Sequence, residues 1–155
     1  MKKITFVIVL LLLCNPTLAA STGVSGEGKG TFYKAGKKLV LKAKKLEAKG
    51  KIEKAKKIYL RAYDKLEKAY DKDKKNADIL NYLGYTLRKT GELKKAEIYY
   101  LLGLEFDPAH FGINEYLGEL YVQTGRIELA KERLEVLKGC ECEEFEELKE
   151  LIEKN

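Results

Sequence analysis

Apolar residues recur at alternating three- and four-residue spacing through most of the chain, which is the spacing of one face of an α-helix. One predicted helix has the following apolar residues on one side: Ala55, Ile58, Tyr59, Ala62, Leu66, Ala69 and Tyr70. The pattern, punctuated by glycine and proline, predicts helices at about 32–49, 52–76, 77–90, 93–106, 112–124, 127–138 and after Cys142. Because no segment shows the alternation typical of a strand, the predicted fold class is all-α.

The sequence also repeats itself. The run Asn-Tyr-Leu-Gly-Tyr at 81–85 returns as Glu-Tyr-Leu-Gly-Glu at 115–119, a displacement of 34 residues (115 − 81). Gly91 and Gly125 keep the same register. A fixed period of this length marks a solenoid of stacked helix hairpins, none of which can bury its apolar face alone. We therefore expect a solenoid of about three hairpins and a capping helix.

The first hairpin departs from this period. Gly50 and Gly91 are 41 residues apart (91 − 50), which is seven more than the period. Seven residues are close to two turns of an α-helix, so an insertion of that length extends a helix without rotating its buried side. We expect a long second helix whose extension, at about 63–75, projects beyond the stack.

Two glycines fall in the middle of predicted helices, Gly84 and Gly118. A glycine there costs about 1 kcal/mol relative to alanine. We explain both by close approach of the paired helix, where Ala96 and Ala130 are also small.

The first nineteen residues have the composition of a secretory signal peptide, since two lysines precede an apolar run at 4–13 and small residues follow. We place cleavage after Ala19, with the next two positions as alternatives. An uncleaved anchor is disfavoured because the run is shorter than the about 20 apolar residues that span a membrane. A lipoprotein signal at Cys14 lacks the small residue that should precede the cysteine. The predicted organisation is a signal peptide at 1–19, a flexible leader at 20–31 and one helical domain at 32–155.

Charge is unevenly distributed. Residues 21–76 contain 18 basic and 7 acidic residues, whereas residues 77–155 contain 10 basic and 17 acidic ones. This polarity concerns association and solubility rather than fold. Lysine-rich helices are most often solvated faces; the alternatives are binding to acidic proteins, binding to an anionic membrane surface, or head-to-tail self-association. Export argues against nucleic acid as a partner despite the basic composition.

The repeated residues resemble the tetratricopeptide-repeat family, whose period is also 34 residues. The resemblance rests on Leu80, Leu83, Gly84, Leu87, Gly91, Ala96, Tyr100, Gly103 and Pro108, and again on Leu117, Gly118, Tyr121, Gly125, Ala130, Leu134 and Leu137. It implies a right-handed superhelical solenoid with a divergent first repeat at 32–76, repeats at 77–110 and 111–142, and a capping helix at 143–155.

Members of this family bind peptides or helices in a concave groove lined by the first helix of each hairpin. Carried over by position, that groove would present Asp78, Asn81, Tyr82, Tyr85, Arg88, Lys89, Glu115, Tyr116, Glu119 and Gln123. Tyr82 and Tyr116 have the alternative of packing between helices, whereas Tyr85 and Arg88 are expected to be free. Glu115 and Glu119 would repel a carboxylate, so the C-terminal carboxylate ligand of some family members is not predicted.

Residues for catalysis or cofactor binding are scarce. His110 is the only histidine, and no serine or cysteine has a histidine placed to activate it. We predict no enzyme activity, no cofactor and no metal site. Cys140 and Cys142 are a candidate disulfide, which an exported protein can form. We interpret it as a clip before the capping helix, with free thiols or intermolecular bridging as alternatives.

These features together indicate an exported, non-enzymatic scaffold in the bacterial periplasm that binds a peptide or helix of another protein. The alternative function is a structural or surface-associating protein. It would use the basic helices at 34–75 on an anionic membrane surface, without spanning it, or for head-to-tail self-association.

Overall fold

The computed structural model describes residues 29–155, which form an all-α solenoid, as predicted from the sequence. The helices of this part of the chain are α1 (Lys29–Glu47), α2 (Ile52–Tyr70), α3 (Ala77–Thr90), α4 (Leu93–Phe106), α5 (Phe111–Gln123), α6 (Ile127–Leu137) and α7 (Glu143–Glu153). Helices α1 and α2, α3 and α4, and α5 and α6 pair as hairpins, and α7 packs on α5 and α6. Within residues 29–155, no helix is long and apolar enough to cross a membrane.

The bounds of α3 and α4 coincide with those predicted, because local signals define them. The side chain of Asn76 accepts a hydrogen bond from the backbone N–H of Ile79, which caps the start of α3. Gly91 ends α3 with a φ of 96°, a left-handed conformation that glycine adopts without strain. Helix α5 begins and ends one residue before the predicted bounds, and α6 ends one residue early.

At the N-terminus of the domain, one prediction needs correction. Residues 29–31 were assigned to the flexible leader but belong to α1. Phe32 and Tyr33, in the first turns of this helix, pack against the core of the first hairpin and so hold its start in place. The signal peptide and the rest of the predicted leader lie outside the described residues.

The long second helix is present, but it ends at Tyr70 and its extension does not project beyond the stack. Its buried residues, Ala55, Tyr59, Ala62, Leu66 and Ala69, alternate four- and three-residue spacings, so one side stays buried along its whole length. Helix α1 is equally long, with 19 residues, and covers the extension. A Cβ built on Gly36 would lie 2.7 Å from Cγ of Leu66, which shows how closely the two helices approach.

The explanation offered for the mid-helix glycines is wrong in its partners. A Cβ on Gly84 would lie 2.5 Å from the ring of Tyr100 rather than against Ala96. A Cβ on Gly118 would lie 2.5 Å from the side chain of Leu148 in α7. Each glycine therefore makes room for one large, fully buried side chain instead of letting two small residues meet.

Ion pairs join successive hairpins. Arg126, in the turn after α5, donates hydrogen bonds of 2.7 and 2.9 Å to the two carboxylate oxygens of Glu97 in α4. Lys89 of α3 pairs with Glu47 at the end of α1, and Glu47 also accepts a 2.8 Å hydrogen bond from the Tyr59 hydroxyl of α2. Burial would raise the pKa of Glu47, but the hydrogen bonds from Lys89 and Tyr59 outweigh it and hold that pKa below its usual value.

Candidate functional site

The first helices of the three hairpins, α1, α3 and α5, contact one another and line one side of the solenoid, here called the first-helix face. The rings of Tyr33 in α1 and Tyr82 in α3 meet edge to face with centroids 5.9 Å apart. The rings of Tyr85 in α3 and Tyr116 in α5 lie 4.7 Å apart. Lys44 of α1 extends over both of these, with its Nζ 5.5 and 5.9 Å from their centroids.

A small recess of about 40 Å³ opens at the centre of this face. This aromatic recess is lined by Val40, Leu41, Lys44, Tyr82, Tyr85 and Tyr116. Leu41 is 50% exposed, and Tyr82 and Tyr116 are partly buried, so an apolar edge remains open to solvent. Tyrosine combines a large apolar area with a hydrogen-bonding hydroxyl, which suits it to contacts with another polypeptide.

A second recess, of about 130 Å³, adjoins the first and shares Lys44 and Tyr116 with it. Its other lining residues are all acidic: Glu115 of α5, and Glu143, Glu144 and Glu147 of α7. Glu115 is only 2% exposed, and its Oε1 has no hydrogen-bond partner among the described residues. Burial raises the pKa of Glu115 to about 10; a hydrogen bond with Glu147 and the negative charge of Glu119 act in the same direction. The carboxyl group of Glu115 is therefore protonated at neutral pH.

The prediction that Tyr85 and Arg88 are free is wrong. Tyr85 is 4% exposed and packs between Tyr59, at 5.8 Å, and Tyr116. Nη1 of Arg88 lies 2.6 Å from Oε2 of Glu119, so this pair links α3 to α5. Both residues stabilise the stack: Tyr85 belongs to the core formed with α1 and α2, and the guanidinium of Arg88 lies over the rings of Tyr85 and Tyr116. The weak repeat signal of the first hairpin did not indicate the burial of Tyr85.

The remaining predicted groove residues are divided between the interior and the surface. Asn81 is buried near Gly112, and Lys89 is held by Glu47. Asp78 is exposed and lies 3.4 Å from Nε2 of His110. Gln123 is exposed at the end of α5. Tyr82 and Tyr116 pack between helices, which is the alternative stated for them, and each keeps an edge at the surface.

Sequence reasoning missed the contributions of α1 and α7 to this face. Leu41 and Lys44 lie 41 positions before Tyr82 and Tyr85, the same displacement that separates Gly50 from Gly91. That displacement indicates that Leu41 and Lys44 occupy equivalent positions on α1, and it could have been used to place them on this face. Glutamates at the start of α7 also suit the positive end of the helix dipole, so their presence alone does not indicate a recess.

Few of the described residues have side chains suited to catalysis or metal binding. His110 accepts a hydrogen bond at Nδ1 from the N–H of Ile113 and so caps α5. Within residues 29–155, no group of three or more His, Cys, Asp or Glu side chains converges to hold a metal ion. A disulfide joins Cys140 and Cys142, whose Cα atoms are 5.1 Å apart, immediately before α7.

Sequence comparison places the repeat in a known family. The family model for the tetratricopeptide repeat matches residues 65–98, from the second half of α2 through α3 into α4. None of the curated proteins matches the chain.

Solved structures resemble the fold at low sequence identity. A tetratricopeptide repeat protein from Parabacteroides merdae superposes with a TM-score of 0.57 at 19% identity, over 86% of this chain and 47% of that one. The chain thus spans about half the length of that protein. The type III secretion translocator chaperone SycD of Yersinia enterocolitica superposes with a TM-score of 0.56 at 18% identity, over 83% of this chain and 92% of that one.

A third structure is that of the second tetratricopeptide-repeat domain of human RPAP3, in complex with an HSP70 peptide. It gives a TM-score of 0.52 at 19% identity, over 80% of this chain and 98% of that one. The matched repeat and the shared stack of hairpins agree with the period read from the sequence. Residues 65–98 therefore match a tetratricopeptide repeat, and the described chain shares its fold with solved tetratricopeptide-repeat structures.

Proposed function

We propose that this protein is a non-enzymatic scaffold that binds a segment of a partner protein on its first-helix face. The observation that supports the proposal most directly is the aromatic recess, where Leu41, Tyr82 and Tyr116 leave apolar surface open. The RPAP3 domain with a similar fold was solved with an HSP70 peptide, so a fold of this kind accommodates a peptide.

The size of the recess favours an extended or helical segment over a small molecule. About 40 Å³ is far less than the roughly 300–1,000 Å³ of ordinary small-molecule pockets. A shallow apolar site with tyrosines at its edge is typical of protein contacts, where a few aromatic anchors supply most of the binding energy.

Selection of a random peptide library on residues 20–155 tests the proposal. The affinity of the recovered peptides should fall at least about tenfold in the double variant Leu41→Ala, Tyr82→Ala, because truncated hot-spot residues cost about 1–3 kcal/mol each.

The matched control is Leu60→Ala with Ile98→Ala. These residues are equally or more exposed, at 50% and 64%, but lie on the second helices α2 and α4. The affinity of this control variant for the selected peptides should change less than about twofold. Equal losses in both variants, or none in either, would contradict binding at the first-helix face.

We also propose that the protein is exported to the periplasm after cleavage following Ala19, based on the apolar run at 4–13 and the small residues after it. Intact-mass measurement of the chain released from a bacterial host by osmotic shock should give a mature form that starts at Ala20. A full-length chain retained with the cytoplasmic fraction would contradict export.

A second candidate function is association of the basic helices with an anionic surface. The specific observation in its favour is the exposure of many lysines on α1 and α2, among them Lys34, Lys38, Lys42, Lys54 and Lys57. The two functions use different surfaces, so charge reversal on α2 should impair one and spare the other.

A further inference from the structure

Glu115 is an unusual residue for the interior of this fold. It is a carboxyl group removed from water, with one oxygen lacking a hydrogen-bond partner within residues 29–155. A buried polar atom without a partner destabilises the folded state unless something outside the chain binds it. Glu115 lines the acidic recess, so a ligand in that recess would reach it.

The described part of the chain pairs none of the carboxylates of this recess with a lysine or arginine. None of its ion pairs involves Glu115, Glu143, Glu144 or Glu147. Lys44 lines the recess, but its ammonium group stacks over tyrosine rings. Glu119, one turn further along α5, is already paired with Arg88.

We propose that the acidic recess binds the ammonium or guanidinium group of a lysine or arginine in the partner segment. This inference rests on the proposed function and specifies its partner: a polypeptide with a basic residue next to apolar ones. The aromatic recess would take the apolar residues, and the stem of the basic side chain would cross Tyr116, which lines both recesses.

The geometry favours an organic cation over a metal ion. The acidic side chains do not converge as metal ligands. About 130 Å³ also exceeds the room that a bare ion needs, whereas it accommodates a planar guanidinium, which can bind two carboxylates through its fork of N–H groups.

Binding of a cation in the recess should change the protonation of Glu115. In the free protein Glu115 holds a proton and faces the carboxylates of Glu119 on α5 and Glu143, Glu144 and Glu147 on α7, with Lys44 on α1 opposite. A bound cation stabilises the ionised carboxylate, so the proton of Glu115 passes to the buffer as the ion pair forms. Binding should therefore release about one proton and tighten as pH rises.

The primary test uses N-acetyl-arginine methylamide as the probe and the uncharged citrulline analogue as its control, titrated into residues 20–155 and followed by NMR. Arginine should shift the amide signals of Glu115, Tyr116, Glu144 and Glu147, and citrulline should not. Because this probe is not a selected peptide, the test remains valid if the library yields no binder, and the two proposals fail separately.

Variants locate the site. Glu115→Gln should weaken arginine binding at least about tenfold, since it removes one partner of a buried charge pair. Glu146→Gln, on α7 outside the recess, should change it less than about twofold. Lys44→Gln should strengthen binding, because the ammonium group of Lys44 repels an incoming cation.

Calorimetry in two buffers of different ionisation enthalpy measures the number of protons released on binding. This release should be absent in Glu115→Gln. Equal binding of citrulline, equal effects of Glu115→Gln and Glu146→Gln, or tighter binding of spermidine than of an arginine-containing library peptide would overturn the proposal. Concentration-dependent dimerisation abolished by Glu115→Gln would also overturn it, since the occupant would then be a second copy of this chain.

Discussion

At Gly84, a hydrogen atom in place of a methyl group decides how closely α3 packs on α4. The variant Gly84→Ala gains about 1 kcal/mol of helix propensity. Its Cβ, however, would lie 2.5 Å from the ring of Tyr100, which is fully buried and cannot easily move. Overpacking of a filled core costs about 1–3 kcal/mol or more. We expect urea denaturation to show a net loss of up to about 2 kcal/mol in the free energy of unfolding.

The matched control is Gly30→Ala, near the start of α1, where an added Cβ meets nothing within 4 Å. It should leave the free energy of unfolding unchanged or slightly raised. Leucine at position 100 is smaller than tyrosine. Gly84→Ala should therefore cost less free energy of unfolding when it is added to Tyr100→Leu than when it is added to the parent. If Gly84→Ala is as stable as the parent, the close approach to Tyr100 does not limit packing.

Glu115 links stability to pH. Its pKa is raised from an ordinary value of 4.5 to about 10, so between these values the folded chain holds a proton that the unfolded chain releases. The free energy of unfolding therefore falls as pH rises through this window. Between pH 5 and pH 8 we expect Glu115 to contribute a loss on the order of 1–3 kcal/mol.

Glu115→Gln tests this dependence because the amide keeps the size of the side chain and cannot ionise. Denaturation in urea should show similar stability for variant and parent near pH 5 and a more stable variant at pH 8. Glu146→Gln, on the exposed side of α7, should follow the parent at both values. A parent whose stability rises between pH 5 and pH 8 relative to Glu115→Gln would show that Glu115 is ionised in the folded state.

Residue environments were the least predictable feature of the site. The sequence placed Tyr85 and Arg88 on the correct helix but not in the correct environment. The burial of Tyr85 depends on α1 and α2, which are distant in sequence and belong to the hairpin whose repeat signal is weakest, and Arg88 is held by Glu119 of the next hairpin. Likewise, the raised pKa of Glu115 results from packing of α7 on α5, a tertiary contact that local patterns do not encode.

At the scale of elements, α7 closes the solenoid by packing on α5 and α6. Leu148 is fully buried, and Gly118 of α5 provides the space for it. Leu148→Ala should lower the free energy of unfolding by about 2–5 kcal/mol, through lost burial and the cavity left behind. Val136→Ala, at a residue 42% exposed on α6, should cost less than about 1 kcal/mol in the same urea titration. A small effect of Leu148→Ala would mean that α7 contributes little to the cap.

Helix bounds could be predicted where one or two neighbouring residues define them. Asn76 and Gly91 define α3 locally, and its predicted bounds are those observed. The covering of the α2 extension could not be predicted in this way. It depends on α1 starting at Lys29, in a glycine-containing stretch where only Phe32 and Tyr33 provide apolar contacts. The inserted heptad was visible as a displacement, but the helix that packs against it was not.

At the scale of the molecule, charge divides along the solenoid. Helices α1 and α2 contain 13 basic and 4 acidic residues, whereas α5, α6 and α7 contain 3 basic and 11 acidic ones. The first-helix face crosses this gradient, from Lys44 at one side to the glutamates of α7 at the other. A partner segment with its basic residue toward α7 would follow the gradient, which gives the face a preferred direction of binding.

Salt separates the two candidate functions. Exposed charges are screened over about 10 Å at 0.1 M salt, whereas apolar contacts and buried ion pairs are much less affected. Peptide affinity at the first-helix face should fall less than about fivefold between 0.05 and 0.3 M salt, while any binding to anionic vesicles should be lost over that range. The charge-reversal variant Lys54→Glu, Lys57→Glu on α2 should abolish vesicle binding and leave peptide affinity unchanged, because both lysines are exposed and neither lines a recess of the first-helix face. If salt and charge reversal weaken both kinds of binding in parallel, the basic helices rather than the tyrosines are the functional surface.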